Sequence, residues 1–177
     1  MRIRLAPGFT LIELLIVVTL IGVIVAIAVP GLLRARMAGN EASAIASLRA
    51  IIDGQSAYSS SCAGGGYAVT LADLARPAPG ATQGFVSPDL KTDPSVKSGY
   101  TVALFKETGA ATIGSAGATC NGPTAAPASA YEATADPVTA GVTGTRYFGT
   151  DTRATIFFSN LGRFGTAVIP ATATPVQ

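Results

Sequence analysis

The sequence has no histidine and no tryptophan, only two cysteines in 177 residues, and charge on just 12% of its positions. Without histidine the commonest general base and the commonest transition-metal ligand are missing. A Ser-His-Asp arrangement is excluded in its usual form, and two cysteines alone offer no zinc-ligand spacing. No glycine-rich loop stands in front of a helix to cradle phosphate; Gly64, Gly65 and Gly66 follow an apolar periodic stretch instead. The expectation is a chain that is not an enzyme and uses no cofactor and no metal. Twelve basic residues against ten acidic leave a net charge of +2, too small to argue for nucleic acid. The cations are scattered, so DNA is left as a partner that nothing supports beyond weak contact. No Asn-x-Ser/Thr acceptor occurs. Between Phe9 and Tyr58 there is no aromatic residue, so the apolar segment offers no close-spaced path for conducting electrons.

What is present is distributed unevenly. Residues 1–8 form a short basic leader with Arg2 and Arg4. Residues 9–29 are almost wholly apolar and, as a helix, would measure about 31 Å, against a hydrocarbon core of roughly 30 Å. The cations before the run favour keeping that end in the cytoplasm, and Arg34 and Arg36 beyond it weaken that preference. An ordinary secretory signal peptide is one alternative, with Ala26, Ile27 and Ala28 resembling a cleavage site. It does not explain Glu13, which sits inside the apolar run. A plain membrane anchor leaves Glu13 equally unexplained, because a charge deep in a membrane helix costs about 2.5–3.5 kcal/mol on insertion scales.

The segment Gly8-Phe9-Thr10-Leu11-Ile12-Glu13, followed by Leu14, Leu15, Ile16, Val17 and Val18, with Gly22 and Pro30 beyond, resembles the cleavage and methylation motif of type IV prepilins and the related pseudopilins. The resemblance covers about 30 residues. It implies that a membrane-embedded prepilin peptidase cuts between Gly8 and Phe9, and that the same enzyme methylates the new amine of Phe9. It also implies that Glu13 sets subunit register. Physically, cleavage creates a cation at Phe9 one helical turn from Glu13. Packing among apolar helices has little directional preference, so one buried charge pair can fix axial register. Gly22 has poor helix propensity, and Pro30 cannot donate to the carbonyl of Ala26. The family resemblance makes residues 22–30 a stretch that can lengthen in a filament.

Past Pro30 the pattern becomes amphipathic. Leu33, Met37, Ala38, Ala42, Ile45, Leu48 and Ile52 recur at intervals of three to four, with Arg34, Asn40, Glu41, Arg49 and Asp53 mostly between them. This predicts one helix continuing to about Ser60. A connector over residues 62–98 holds one short helix capped by Thr70. Four strand candidates follow, at 100–106, 130–135, 145–149 and 155–159, the last two forming a hairpin around residues 150–152. The fold class is α+β and pilin-like: a long N-terminal helix packed on an antiparallel sheet of about four strands. The organisation is leader 1–8, transmembrane and filament-core helix 9–29, and head 30–177, the head comprising helix 30–61, connector 62–98 and sheet with tail 99–177. Cys62 and Cys120 lie in the head. An oxidising compartment makes a disulfide the default there, stabilising by roughly 4 kcal/mol through loop closure.

The expected function is structural: the major pilin of a type IV pilus, a homo-oligomeric helical filament serving adhesion, motility, biofilm formation or DNA uptake. The alternative is a minor pilin or a type II secretion pseudopilin. Major pseudopilins resemble one another in an acidic, calcium-binding C-terminal loop, and this chain has no acidic residue after Asp151. Expected partners are copies of itself, the prepilin peptidase and methyltransferase, an inner-membrane assembly platform, and lipid before assembly. The expected location is the inner membrane, with a periplasmic head, and then an extracellular fibre.

Overall fold

The computed structural model describes residues 8–164, 169–170 and 172–176. Residues 1–7 of the expected leader 1–8, with Arg2 and Arg4, and part of the tail lie outside the described residues. The first element is a helix, α1 (Leu11–Ser61), that runs without interruption past Gly22 and Pro30. A second, short helix follows, α2 (Leu71–Leu74), then strands β1 (Ser95–Lys97), β2 (Tyr100–Lys106), β3 (Tyr131–Pro137), β4 (Tyr147–Asp151), β5 (Ile156–Ser159) and β6 (Thr174–Pro175). The chain divides into two compact units, one ending at Arg36 and one beginning at Met37.

In the first unit every side chain from Gly8 to Arg36 is exposed. Its apolar stretch is long and hydrophobic enough to cross a membrane, and none of that stretch is buried. An apolar surface of that size with nothing against it needs lipid or protein as its solvent.

In the second unit α1 supplies one side of the core. Ala44, Leu48, Ile51 and Tyr58 recur at three, four and seven residues and are buried. Burying a side chain such as Leu48 or Ile51 stabilises by about 1.5–3 kcal/mol. The expected stripe ran through Ile45, Leu48 and Ile52. The centre of the observed one is Leu48 and Ile51, with Ile45 and Ile52 at its margin. Glu41 and Gln55 are buried within this helix, whereas Leu33 is exposed. The helix ends one residue beyond the expected Ser60, where Gly64 and Gly65 take positive φ.

The sheet is an antiparallel meander of six strands in sequence order. The expected four are its centre; β1 and β6 are the additions. Both are two or three residues long, too short to show alternation in the sequence. Alternation sorts the faces. Tyr100, Val102 and Leu104 of β2 join Tyr131, Ala133 and Ala135 of β3, with Phe148 and Ile156, in one core cluster with α1. The other face of β3 carries Glu132, Thr134 and Asp136. A Cβ added at Gly149 on β4 would come within 2.8 Å of Phe164 and 3.0 Å of Ile169, so these two residues cover the neighbouring strand.

Candidate functional site

The N-terminal site is built by the start of α1. Thr10 precedes the first helical residue and its hydroxyl accepts from the backbone N–H of Glu13 at 3.3 Å. Glu13 Oε2 accepts in return from the Thr10 N–H at 3.0 Å and from the Thr10 hydroxyl at 2.6 Å. This is a reciprocal capping box, which satisfies donors that a helix start leaves unpaired. The carboxylate also lies at the positive end of the helix dipole. In the uncut chain, therefore, Glu13 is not a solitary anion: one oxygen belongs to Thr10, and no bond engages Oε1 among the described residues. Gly8 and Phe9 stand immediately before this box, exposed and outside regular structure. Thr10 was not singled out in the sequence, although a Thr three residues before a Glu at the head of an apolar run is a legible capping signal.

Further along the first unit, a Cβ added at Gly22 meets no heavy atom within 4 Å. No contact among the described residues requires a glycine there. Pro30 lies within the helix, where it withholds one hydrogen bond.

In the second unit three polar centres hold the head together. Glu41 accepts from the Thr145 N–H at 2.9 Å, the Thr145 hydroxyl at 3.0 Å and Arg146 Nε at 2.8 Å, with Arg146 Nη2 at 2.8 Å as well. Burial alone would raise its pKa. The bonds from Thr145 and Arg146 outweigh burial and hold it below the ordinary value. Arg146 also stacks over the Phe148 and Phe158 rings. The clamp ties residues 145–146 to the helix and is assisted by Asn40, which donates to the Thr143 carbonyl at 2.8 Å.

The second centre is Asp73. Thr70 caps α2 through a hydroxyl that accepts from the Asp73 N–H, as expected. The fully buried Asp73 carboxylate accepts from the Thr124 N–H at 2.7 Å, the Thr124 hydroxyl at 3.0 Å and the Ala125 N–H at 3.3 Å. It thereby fixes the long loop that carries Cys120. Cys62 and Cys120 are joined by a disulfide, with Cα atoms 4.8 Å apart, which pins the same loop to the end of α1. Two independent devices hold one segment.

The third centre is Glu132. It is fully buried, and neither carboxylate oxygen has a hydrogen-bond partner. Desolvation, with the nearby charges of Glu107 and Asp151, pushes its pKa up to about 8. Asp151, directly opposite on β4, is held instead by Arg153 at 2.6 Å. No group of three or more His, Cys, Asp or Glu side chains is arranged to hold a metal among the described residues. The grooves of the head are open surface depressions, and none gathers the three charged centres.

An exposed apolar helix with a capped carboxylate near its start, in a chain whose second unit is a disulfide-bonded α+β head, is the arrangement that the prepilin resemblance implies. Residues 4–29 match the family model of the prokaryotic N-terminal methylation motif, which supports assigning the chain to type IV prepilin-like proteins. The comparison with curated proteins gave no match, and neither did the comparison with solved structures.

Proposed function

We propose that this chain is the major subunit of a type IV pilus. It is held in the inner membrane by residues 9–29, with the leader in the cytoplasm and the head of residues 30–177 in the periplasm. A prepilin peptidase cuts between Gly8 and Phe9, the new amine of Phe9 is methylated, and an assembly platform passes the subunit into a surface filament. The observation that carries this reading is the motif match over residues 4–29 on a helix whose apolar surface has no cover in the single chain.

Glu13 supplies register. Its Oε2 stays with Thr10, leaving Oε1 for the amine of Phe9 on a neighbouring subunit. A charge pair formed in an apolar surround strongly disfavours misaligned neighbours, because a slipped subunit leaves both charges unpaired. Residues 22–30, with the unpacked Gly22 and the missing Pro30 hydrogen bond, are the part of the helix cheapest to open when a filament is pulled.

Mass spectrometry of fibres sheared from cells tests the reading. The expected product is a fibre made chiefly of this chain, starting at methylated Phe9. Glu13→Ala should be cleaved normally yet reduce surface fibre at least tenfold; normal piliation would remove the register role. Few copies per cell and no fibre would assign the chain to the minor pilins or to the pseudopilins of type II secretion, which share the same N-terminal motif.

A further inference from the structure

We propose that Arg34 and Arg36 form a cationic collar that grips the phosphates of anionic phospholipids where the helix leaves the bilayer. The inference rests on the membrane-held precursor proposed above and adds a lipid class to it. Arg34 and Arg36 lie five and seven residues beyond Val29, about 7.5 Å and 10 Å along a helix. The interfacial layer on each side of the hydrocarbon core is roughly 5–8 Å deep. Arg34 therefore sits at headgroup level, and the long Arg36 side chain reaches back to it.

Neither arginine has a partner among the described residues. Both are exposed, and neither joins any ion pair or side-chain hydrogen bond among the described residues. The nearest acidic residue along the helix, Glu41, is already bound by Thr145 and Arg146. The next in either direction are Glu13 and Asp53, each at least 17 residues from Arg36. The pair also stands on the translocated side, where the distribution of charge around membrane spans selects against arginine. Such cations are free to take an anion from outside the chain.

Geometry favours lipid over a second protein as that anion. Positions two apart on a helix point about 200° from each other, so the guanidinium groups project to opposite sides. A flat protein surface can meet one of them; a ring of headgroups meets both. Leu32 and Leu33, exposed in the turn just before, supply apolar anchors on the bilayer side. A guanidinium binds phosphate through paired N–H donors, which suits this headgroup better than a choline-masked one.

Native mass spectrometry of the full-length precursor, released from detergent containing equimolar phosphatidylglycerol and phosphatidylcholine, tests the collar. The wild type should retain phosphatidylglycerol preferentially. Arg34→Gln with Arg36→Gln should lower that preference by about fivefold per arginine. An Arg2→Gln and Arg4→Gln precursor should keep the contribution of the collar. An unchanged preference in the Arg34/Arg36 variant overturns the inference. So does an unchanged preference accompanied by loss of a salt-sensitive contact between copies, which would make a second copy the anion donor. Carbonate extraction separates the two proposals. A wild-type chain that leaves the membrane sinks the prepilin reading, whereas an integral chain without lipid preference sinks the collar alone.

Discussion

Glu132 gives the head a weakness that grows as pH rises from 4.5 toward about 8 and can be measured. In the unfolded chain its carboxyl titrates near 4.5, and in the folded head burial and the neighbouring Glu107 and Asp151 move it to about 8. Below 4.5 both states hold the proton and nothing is lost. Between 4.5 and about 8 the unfolded chain has released the proton and the folded one has not, so unfolding is favoured by about 1.4 kcal/mol per pH unit. Above about 8 both states are ionised and the loss levels off. The full window is worth several kcal/mol, a large share of a domain stability of roughly 5–15 kcal/mol. Glu41 works in the opposite direction: its pKa is lowered on folding, so its stabilisation is present above 4.5 and fades as pH falls through the folded value. Stability should therefore peak in mildly acidic solution and decline on both sides. Urea titrations of the full chain in detergent, followed by near-ultraviolet circular dichroism of its tyrosines from pH 4 to pH 9, read this directly. Glu132→Met keeps the volume and removes the proton. It should flatten the decline between pH 4.5 and 8 and be more stable than wild type at pH 8. A variant that is less stable at pH 8, or that keeps the same slope, would refute the assignment.

The devices on the Cys120 loop should be separable. Asp73→Ala strands the Thr124 and Ala125 N–H groups and should cost about 3 kcal/mol in the same titration, with the disulfide still formed by thiol assay. Cys62→Ser with Cys120→Ser should cost about 3–4 kcal/mol, while limited proteolysis shows the loop still protected by Asp73. Glu41→Gln should cost about 1–2 kcal/mol, because Arg146 is one-third exposed, and should open residues 138–146 to protease.

The sequence made the apolar helix, its extent and the central strands legible because each rests on a local rule. A uniform apolar run gives length, and period-two alternation placed Tyr100, Val102 and Leu104 on one face, all buried. The Thr70 cap was legible for the same reason. The edge strands were not, since β6 spans only Thr174–Pro175 and is defined by pairing with Phe157 and Phe158. The spacing predicts Ile52 in the core stripe, whereas Ile51 is the fully buried position: both are apolar and adjacent, so the pattern alone does not choose between them. Gly54 shows what the period cannot reveal: a Cβ there would lie 2.5 Å from the Phe85 carbonyl, so the connector crosses the helix at that residue.

The glutamates carry the general point furthest. Glu13, Glu41 and Glu132 are one residue type in one chain, and each has a different fate. Glu13 finds its partner three residues away, so its capping box is written in the local sequence. Glu41 finds its partner 105 residues away, and its apparent place on the polar face of an amphipathic helix is reversed by Arg146 arriving from the sheet. Glu132 finds none, and is buried on the opposite face of β3 because the alternation there is set by Tyr131, Ala133 and Ala135, which face α1. Burial costs a carboxylate several kcal/mol unless something answers it. In Glu41 a guanidinium answers and in Glu132 a retained proton does. For Glu13 the answer within the chain is Thr10. Under the proposed function an amine created by removal of the leader would supply the rest, and a carboxylate half satisfied before cleavage would then couple proteolysis to assembly without any moving part. Substituting Thr10 would disturb the first bond and Phe9 processing the second, so the two contributions to Glu13 are open to separate measurement.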